Sequence, residues 1–391
     1  GSCYNENSFA VKRSEGLQKH RNLGESMTEQ DKKKFKTVPA MDMDEYKQKI
    51  REHRLKILKR TLVTVLIVFV IIAGLFLFLA LRHYEDFDVN STVERSDTAA
   101  TIFEEFQGNI LKYSNDGALY TDTYNERIWN QTYEMAKPTI DICEDYLVIY
   151  DKKGTQIYIM TSQGLVSNIE TTMTIEQVSI AAQGTVAVLM GDQSNSYLVV
   201  YDKNGKELVN GAIYGEDGGY PIAIALSNDA IKLAVSMLDI NDGNVKTTIA
   251  FYNFGSVGEN EIDRIVSANS FSDMVIPQLD FVSDDRMVAY GDSEIAIFEG
   301  TQKPKLTQEI PLTGEAKSIF NNNKYVGVVY SNNDEKLTHH VAVYDMHGFT
   351  VMEKDFSQEY TEIGFLSNNE VCILNDHSCD IYTVRGIYKF H

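Results

Sequence analysis

The sequence predicts an all-β fold, a β-propeller of about seven four-stranded blades, preceded by one transmembrane helix and a short basic cytoplasmic tail. Three observations predict it: an uncharged apolar run early in the chain, a hairpin pattern that keeps returning after that run, and a change in the sign of the charge between the two sides.

Residues 61–81 read TLVTVLIVFVIIAGLFLFLAL, without a charge. At about 1.5 Å per helical residue they cover the roughly 30 Å of bilayer hydrocarbon. Residues 1–60 hold 15 Lys+Arg against 9 Asp+Glu, and the remainder 21 against 47, so the net charge passes from +6 to −26. Lys56, Lys59 and Arg60 lead into the span, whereas Arg82 is followed by Glu85, Asp86 and Asp88. The positive-inside rule then puts the N-terminus in the cytoplasm and the large C-terminal part outside, in a cell-membrane protein that crosses once. A cleaved signal peptide needs an apolar core of only about 7–15 residues behind a short basic lead. Sixty leading residues fit a retained signal-anchor instead. Residues 1–40, polar and Lys-rich, are expected to be disordered. Tyr46, Ile50, Leu55, Ile57 and Leu58 give residues 41–60 the pattern of a basic juxtamembrane helix running into the span. The domain plan is a tail over 1–60, the anchor over 61–81, a linker over 82–95 and an extracytoplasmic propeller over 96–391.

In the outer part a strand ends in a small polar corner and a second apolar strand follows. ALSNDA at 225–230 precedes IKLAVSM, FVSDDR at 281–286 precedes MVAY, IFNNNK at 319–324 precedes YVGVVY, and FLSNNE at 365–370 precedes VCIL. Ser, Asn and Asp suit such corners because their side chains bond nearby backbone and tolerate left-handed conformations. A third strand ends in a second corner, as at Tyr201-Asp202-Lys203-Asn204-Gly205 and Tyr344-Asp345-Met346-His347-Gly348. These second corners end at Glu126, Gly164, Gly205, Gly255, Gly300, Gly348 and Gly386, spaced by about 38, 41, 50, 45, 48 and 38 residues, the period of propeller blades. A four-stranded sheet cannot bury both faces alone, and radial packing about a channel buries them. The seventh unit is short, so either residues 87–93 or 101–106 complete it by mixing strands from both ends of the chain, or the sequence is cut short at its C-terminal end; six blades plus a closing element is the other count.

Asn109 to Tyr120 (NILKYSNDGALY), followed by Arg127-Ile128-Trp129, resembles the repeat of quinoprotein and outer-membrane-assembly propellers of the WD40-like kind. In that repeat a strand, an Asp-Gly turn, a second strand and a Trp-bearing strand follow one another. The chain as a whole resembles an uncharacterised family of single-pass membrane-anchored bacterial propeller proteins, known only as a domain of unknown function. The resemblance implies the fold; its motifs are turn and packing residues and carry no chemistry.

Net charge −20 argues against nucleic acid as a partner. No metal site, cofactor motif, nucleophile elbow or phosphate loop is found. His339 and His340 fall in a strand, where adjacent side chains point to opposite faces and cannot share one ion. Asp239 to Asn244 lacks the alternating oxygen ligands and terminal glutamate of a calcium loop, and reads as a tight hairpin. Trp129 is expected to pack between blades. A hairpin turning at Asn375 to Ser378 brings Cys372 and Cys379 close, the candidate disulfide, although the inferred register pairs Leu374 with Cys379 and displaces Cys372 by two residues. Two segments longer than the blade norm, 211–220 (GAIYGEDGGY) and 255–270 (GSVGENEIDRIVSANS), are the candidate binding loops. Their candidate contacts are Tyr214, Glu216, Asp217 and Tyr220 in the first and Glu259, Glu261 and Asp263 in the second.

The expected function is therefore a non-enzymatic, membrane-anchored binding or scaffold module for an envelope protein or surface polymer. The alternative is a receptor or enzyme for a small ligand, cation or sugar in the central channel, for which three or more converging carboxylates would count.

Overall fold

The computed structural model describes residues 43–84, 86, 88, 89, 92, 94, 98, 100–191, 195–213, 219–241, 243–332, 334 and 336–391. The tail over 1–40 lies outside the described residues. The chain divides after Ala80 into two units.

The first unit carries α1 (Met43–Leu81), so the juxtamembrane segment and the apolar span form one continuous helix. Asp44 and Glu45 sit in its first turn, where negative charge opposes the helix dipole, and Lys49 pairs with Glu45 at 3.1 Å. Hydroxyls on an otherwise apolar helix face find partners on the helix itself. Thr61 and Thr64 donate to the carbonyls of Ile57 (3.0 Å) and Arg60 (2.9 Å), four residues back. The helix is long and apolar enough to cross a membrane.

The second unit holds seven antiparallel four-stranded sheets, each in chain order. Blade 1 is β1 (Ile102–Phe106), β2 (Asn109–Ser114), β3 (Gly117–Thr121) and β4 (Arg127–Thr132); blade 2 is β5 (Pro138–Cys143), β6 (Tyr146–Asp151), β7 (Gln156–Thr161) and β8 (Gly164–Glu170). Blade 3 is β9 (Thr174–Ile180), β10 (Val186–Gly191), β11 (Ser196–Tyr201) and β12 (Glu207–Ile213); blade 4 is β13 (Tyr220–Leu226), β14 (Lys232–Asn241), β15 (Asn244–Asn253) and β16 (Ile265–Ser272). Blade 5 is β17 (Gln278–Ser283), β18 (Arg286–Tyr290), β19 (Glu294–Glu299) and β20 (Lys305–Pro311); blade 6 is β21 (Ala316–Asn321), β22 (Tyr325–Ser331), β23 (His339–Asp345) and β24 (Thr350–Phe356). Blade 7 is β25 (Glu362–Phe365), β26 (Val371–Leu374), β27 (Cys379–Tyr382) and β28 (Tyr388–Phe390). First strands of neighbouring blades touch at β5–β9, β9–β13, β13–β17 and β21–β25, and β5, β9, β13 and β17 line a central cavity.

The recurring polar residues do the work expected of them. At the first corner of blade 4, Ser227 Oγ accepts from the Lys232 amide (2.9 Å) and Asp229 from the Ile231 amide (3.0 Å), which lets Ala230 take a φ of 55°. At the second corners one aspartate binds two amides. Asp202 holds Asn204 (2.9 Å) and Lys206 (2.8 Å), and Asp345 holds His347 and Phe349 (both 2.9 Å), each followed by a glycine in the left-handed region. Strands alternate in direction, so first and second corners share one end of each blade. Bonds between neighbours align those ends: Gln107 to the Glu144 carbonyl, Ser167 to Lys203, Asn253 to Gln302 and Asn322 to Asn369. They form one face of the ring, the corner face.

Six apolar clusters among the described residues join blades 1–2, 2–3, 3–4, 4–5, 5–6 and 6–7. None joins blade 7 to blade 1. The count of seven blades stands, and among the described residues no strand is exchanged to close the ring; of the segment 87–93, residues 87, 90, 91 and 93 lie outside the described residues. Residues 102–106 form the first strand of blade 1, while Tyr388–Phe390 supplies the fourth strand of blade 7 from the C-terminal end itself. A three-residue strand suffices because it is an outer one that pairs on one side only. The linker lies against that edge: the Tyr84 amide donates to the Lys389 carbonyl at 2.8 Å, and His83 stacks on Tyr388 at 5.1 Å.

Candidate functional site

The channel contains a cavity of about 330 Å³ lined by the first strands of blades 2, 3, 4 and 5. Its polar side chains come from alternate positions of those strands, and most of them stitch one blade to the next. Asp141 of β5 accepts from the amides of Ile180 (2.8 Å) and Ile142 (3.0 Å). Gln177 of β9 exchanges both amide bonds with the Ile224 backbone (3.0 and 2.9 Å), and Ser179 Oγ accepts from the Leu226 amide (3.1 Å). Asp280 of β17 accepts from Asn321 of β21. First strands cannot pair edge to edge around a ring, so side chains supply the partners that a sheet would otherwise give.

Burial raises the Asp141 carboxyl to about 6 against the pull of its two amides, and burial likewise raises Asp280 against the Asn321 bond. Beside them the Cys143 thiol is pushed up to about 12, by burial first and then by Asp141. Two carboxylates line the cavity, fewer than the three that would favour a cation or sugar site. Among the described residues no group of three or more metal-ligand side chains converges.

The corner face carries a second feature. Tyr124, Leu165, Leu208, Ile262, Phe349 and Ile387 are 37–86 % exposed, and each lies at or within two residues of the second corner of its blade. Every blade but the fifth contributes one. A single exposed apolar side chain is ordinary. Six beside the same corner of the repeat, on one face, make an interrupted apolar rim.

The described candidate contacts of the two binding loops lie at opposite ends of blade 4. Tyr220 opens β13 opposite Leu238, at the end of blade 4 where β14 turns into β15, and is 58 % exposed. Glu259, Glu261 and Asp263 sit at the second corner of the same blade, on the corner face. Tyr214, Glu216 and Asp217 lie outside the described residues. Both loops are also shorter than expected, since β12 runs to Ile213 and β16 begins at Ile265. The half-exposed alternation of an outer strand had disguised β16 as loop. Two short 3-10 turns fill 258–264, and Glu261 is engaged by Lys303 of blade 5 at 2.5 Å.

Other expectations hold in detail. Leu374 pairs with Cys379 as the turn predicts, and Cys372 lies two residues away with its sulfur 3.6 Å from that of Cys379; the candidate disulfide is not formed, and both are free thiols. His339 stacks on Phe356 while His340 binds Asp355 (2.6 Å), so the pair does face opposite ways. Asn241 pairs with Asn244 in a tight hairpin. Trp129 stacks on Tyr120 at 5.2 Å and lies against Gly164 of blade 2. Lys56, Lys59 and Arg60 are exposed on α1, and the Arg82 guanidinium sits 5.0 Å from the centre of the Tyr84 ring. The rim escaped sequence reading because its members are single residues some forty positions apart; only their shared place after each second corner could have flagged them.

These features define a seven-bladed β-propeller preceded in the chain by one long apolar helix. The chain belongs to DUF5711, a family of unknown function, whose model matches residues 80–391. No curated protein matches it in sequence. Among solved structures it is similar to BamB from Moraxella catarrhalis (14% identity, TM-score 0.47, covering 73% of this chain and 86% of that one). It is similar as well to Kluyveromyces lactis Hsv2 (11%, 0.46, 71% and 90%) and the Neurospora crassa Pan2 WD40 domain (10%, 0.40, 63% and 74%). Likeness at this level says nothing of what the chain binds.

Proposed function

We propose that the chain is a non-enzymatic, single-pass membrane-anchored scaffold whose propeller lies outside the cell membrane and docks an envelope protein on its corner face. The observation that carries this reading is the apolar rim, because large exposed apolar and aromatic side chains on a rigid scaffold are the usual anchors of protein interfaces. The charge selects the partner's character. With −26 beyond residue 60, the propeller repels an anionic lipid surface and favours a protein whose contacting surface is basic. Use of the channel by a small cation or sugar competes for Asp141 and Asp280, which already hold neighbouring blades together.

The test is cross-linking in intact cells, followed by purification in mild detergent and mass spectrometry. Wild type is compared with a Tyr124→Ser/Ile262→Ser/Phe349→Ser variant and with Ile240→Ser at the opposite end of blade 4. A near-stoichiometric protein present with wild type and Ile240→Ser but lost from the rim variant supports the reading. Recovery of wild-type protein alone, or of the same partner with the rim variant, overturns it. Orientation is read separately: a C-terminal tag that resists protease until the cells are lysed would place the propeller inside.

A further inference from the structure

Blade 7 has the shortest strands of the ring, four residues in β25, β26 and β27 and three in β28. Strand alternation sends Ile363, Val371, Ile373 and Tyr382 into the cluster shared with blade 6. Cys372 and Leu374, with the register partners Ile381 and Cys379, therefore face the opposite way. That is the side on which no described apolar cluster ties blade 7 to blade 1. There the two cysteine sulfurs are in contact at 3.6 Å, across the hairpin and on one face of it. Closing that gap to a bond of about 2.05 Å asks for side-chain rotation and a small approach of two short strands.

We propose that Cys372 and Cys379 are a dithiol–disulfide pair whose oxidation staples β26 to β27 and fastens the closing blade. The oxidant is a small-molecule disulfide or a dithiol oxidase. Cys379 is half-buried, whereas Cys372 is buried. Burial, then the hydrogen bond with Cys379, pushes the Cys372 thiol up to about 12, so Cys372 stays protonated and Cys379 attacks first. Its thiolate displaces one thiolate from the oxidant and forms a mixed disulfide. Cys372 then attacks the Cys379 sulfur, gives up its proton and expels the second half. The balance is one protein dithiol and one disulfide giving one protein disulfide and two thiols. Cys143, packed in the blade 2–3 cluster, is the internal comparison.

The experiment uses the full chain in mild detergent, equilibrated with excess oxidised glutathione, alkylated without reduction and digested. The peptide spanning 372–379 is expected to lose two hydrogens and escape alkylation. Cys372→Ser should trap glutathione on Cys379, and Cys379→Ser should leave Cys372 a thiol. Hydrogen exchange in β25 to β28 should slow several-fold on oxidation, with blades 2 to 5 unchanged. Alkylation of both cysteines, or glutathione on both without an internal bond, overturns the pair. A bond that leaves exchange in blade 7 unchanged overturns its role in fastening the blade.

Discussion

The junction between blades 4 and 5 and the seam between blades 7 and 1 are made from the same repeat, yet different forces hold them. At the first, Phe251 and Phe298 are fully buried with ring centres 5.1 Å apart, within a cluster that runs from Ala223 to Phe298. Ser236 and Thr247 also donate across it to the carbonyls of Ile276 (2.7 Å) and Met274 (2.6 Å). At the seam the first four residues of β1 are exposed, and the Glu104 carboxyl is raised by partial desolvation first and then by the like charge of Glu362. A repeat protein gains stability at each interface between neighbours, so a ring with six apolar junctions spends its weakness at the one where the chain ends meet. The seam is where opening should begin.

The largest effect expected follows from breaking the strong side. Phe251→Ala removes a ring from a filled core and should cost about 3–5 kcal/mol in denaturant unfolding, whereas Ile381→Ala, facing the seam, should cost under about 1. Equal losses would erase the contrast. Asp229→Asn comes next. Lys232 is 1 % exposed and its ammonium meets Asp229 at 3.3 Å, so removing the countercharge strands a buried cation at a cost of about 2–4 kcal/mol.

Asp141 gives a smaller and pH-dependent effect. Its folded value near 6 lies above that of an unfolded aspartate, near 4, so the folded state binds the extra proton between these values. Stability should therefore fall as pH rises from about 4 to about 6 and level off above. Asp141→Asn, which keeps an acceptor for Ile180, should flatten that slope and raise stability at pH 7 by about 1–2 kcal/mol. A slope unchanged in the variant would assign it to another group. The smallest effect is at the seam itself. Tyr84→Ala should change global stability by less than about 1 kcal/mol while speeding exchange in β28, because the linker covers only an edge.

Much of this architecture was legible because corners need particular residues. Asp202 and Asp345 announce their turns through amides that only a short acceptor can reach. The Cys372–Cys379 hairpin could be registered from its turn alone. The closure misled because an outer strand pairs on one side and can be three residues long, too short to show alternation. The cavity was invisible because Asp141, Gln177 and Asp280 sit on three different blades and meet only in the ring.

The sequence by itself determined the helix, the repeat and its period, and the corners that punctuate it, because these depend on neighbours within a few residues along the chain. The tertiary structure alone decided that the blades number seven, which ends share a face, that Tyr220 and the acidic residues 259–263 lie at opposite ends of blade 4, that six apolar residues make a rim, and that each described blade is built from consecutive strands. Those facts depend on how sheets pack sideways, and side-by-side packing brings together residues that the chain keeps some forty positions apart.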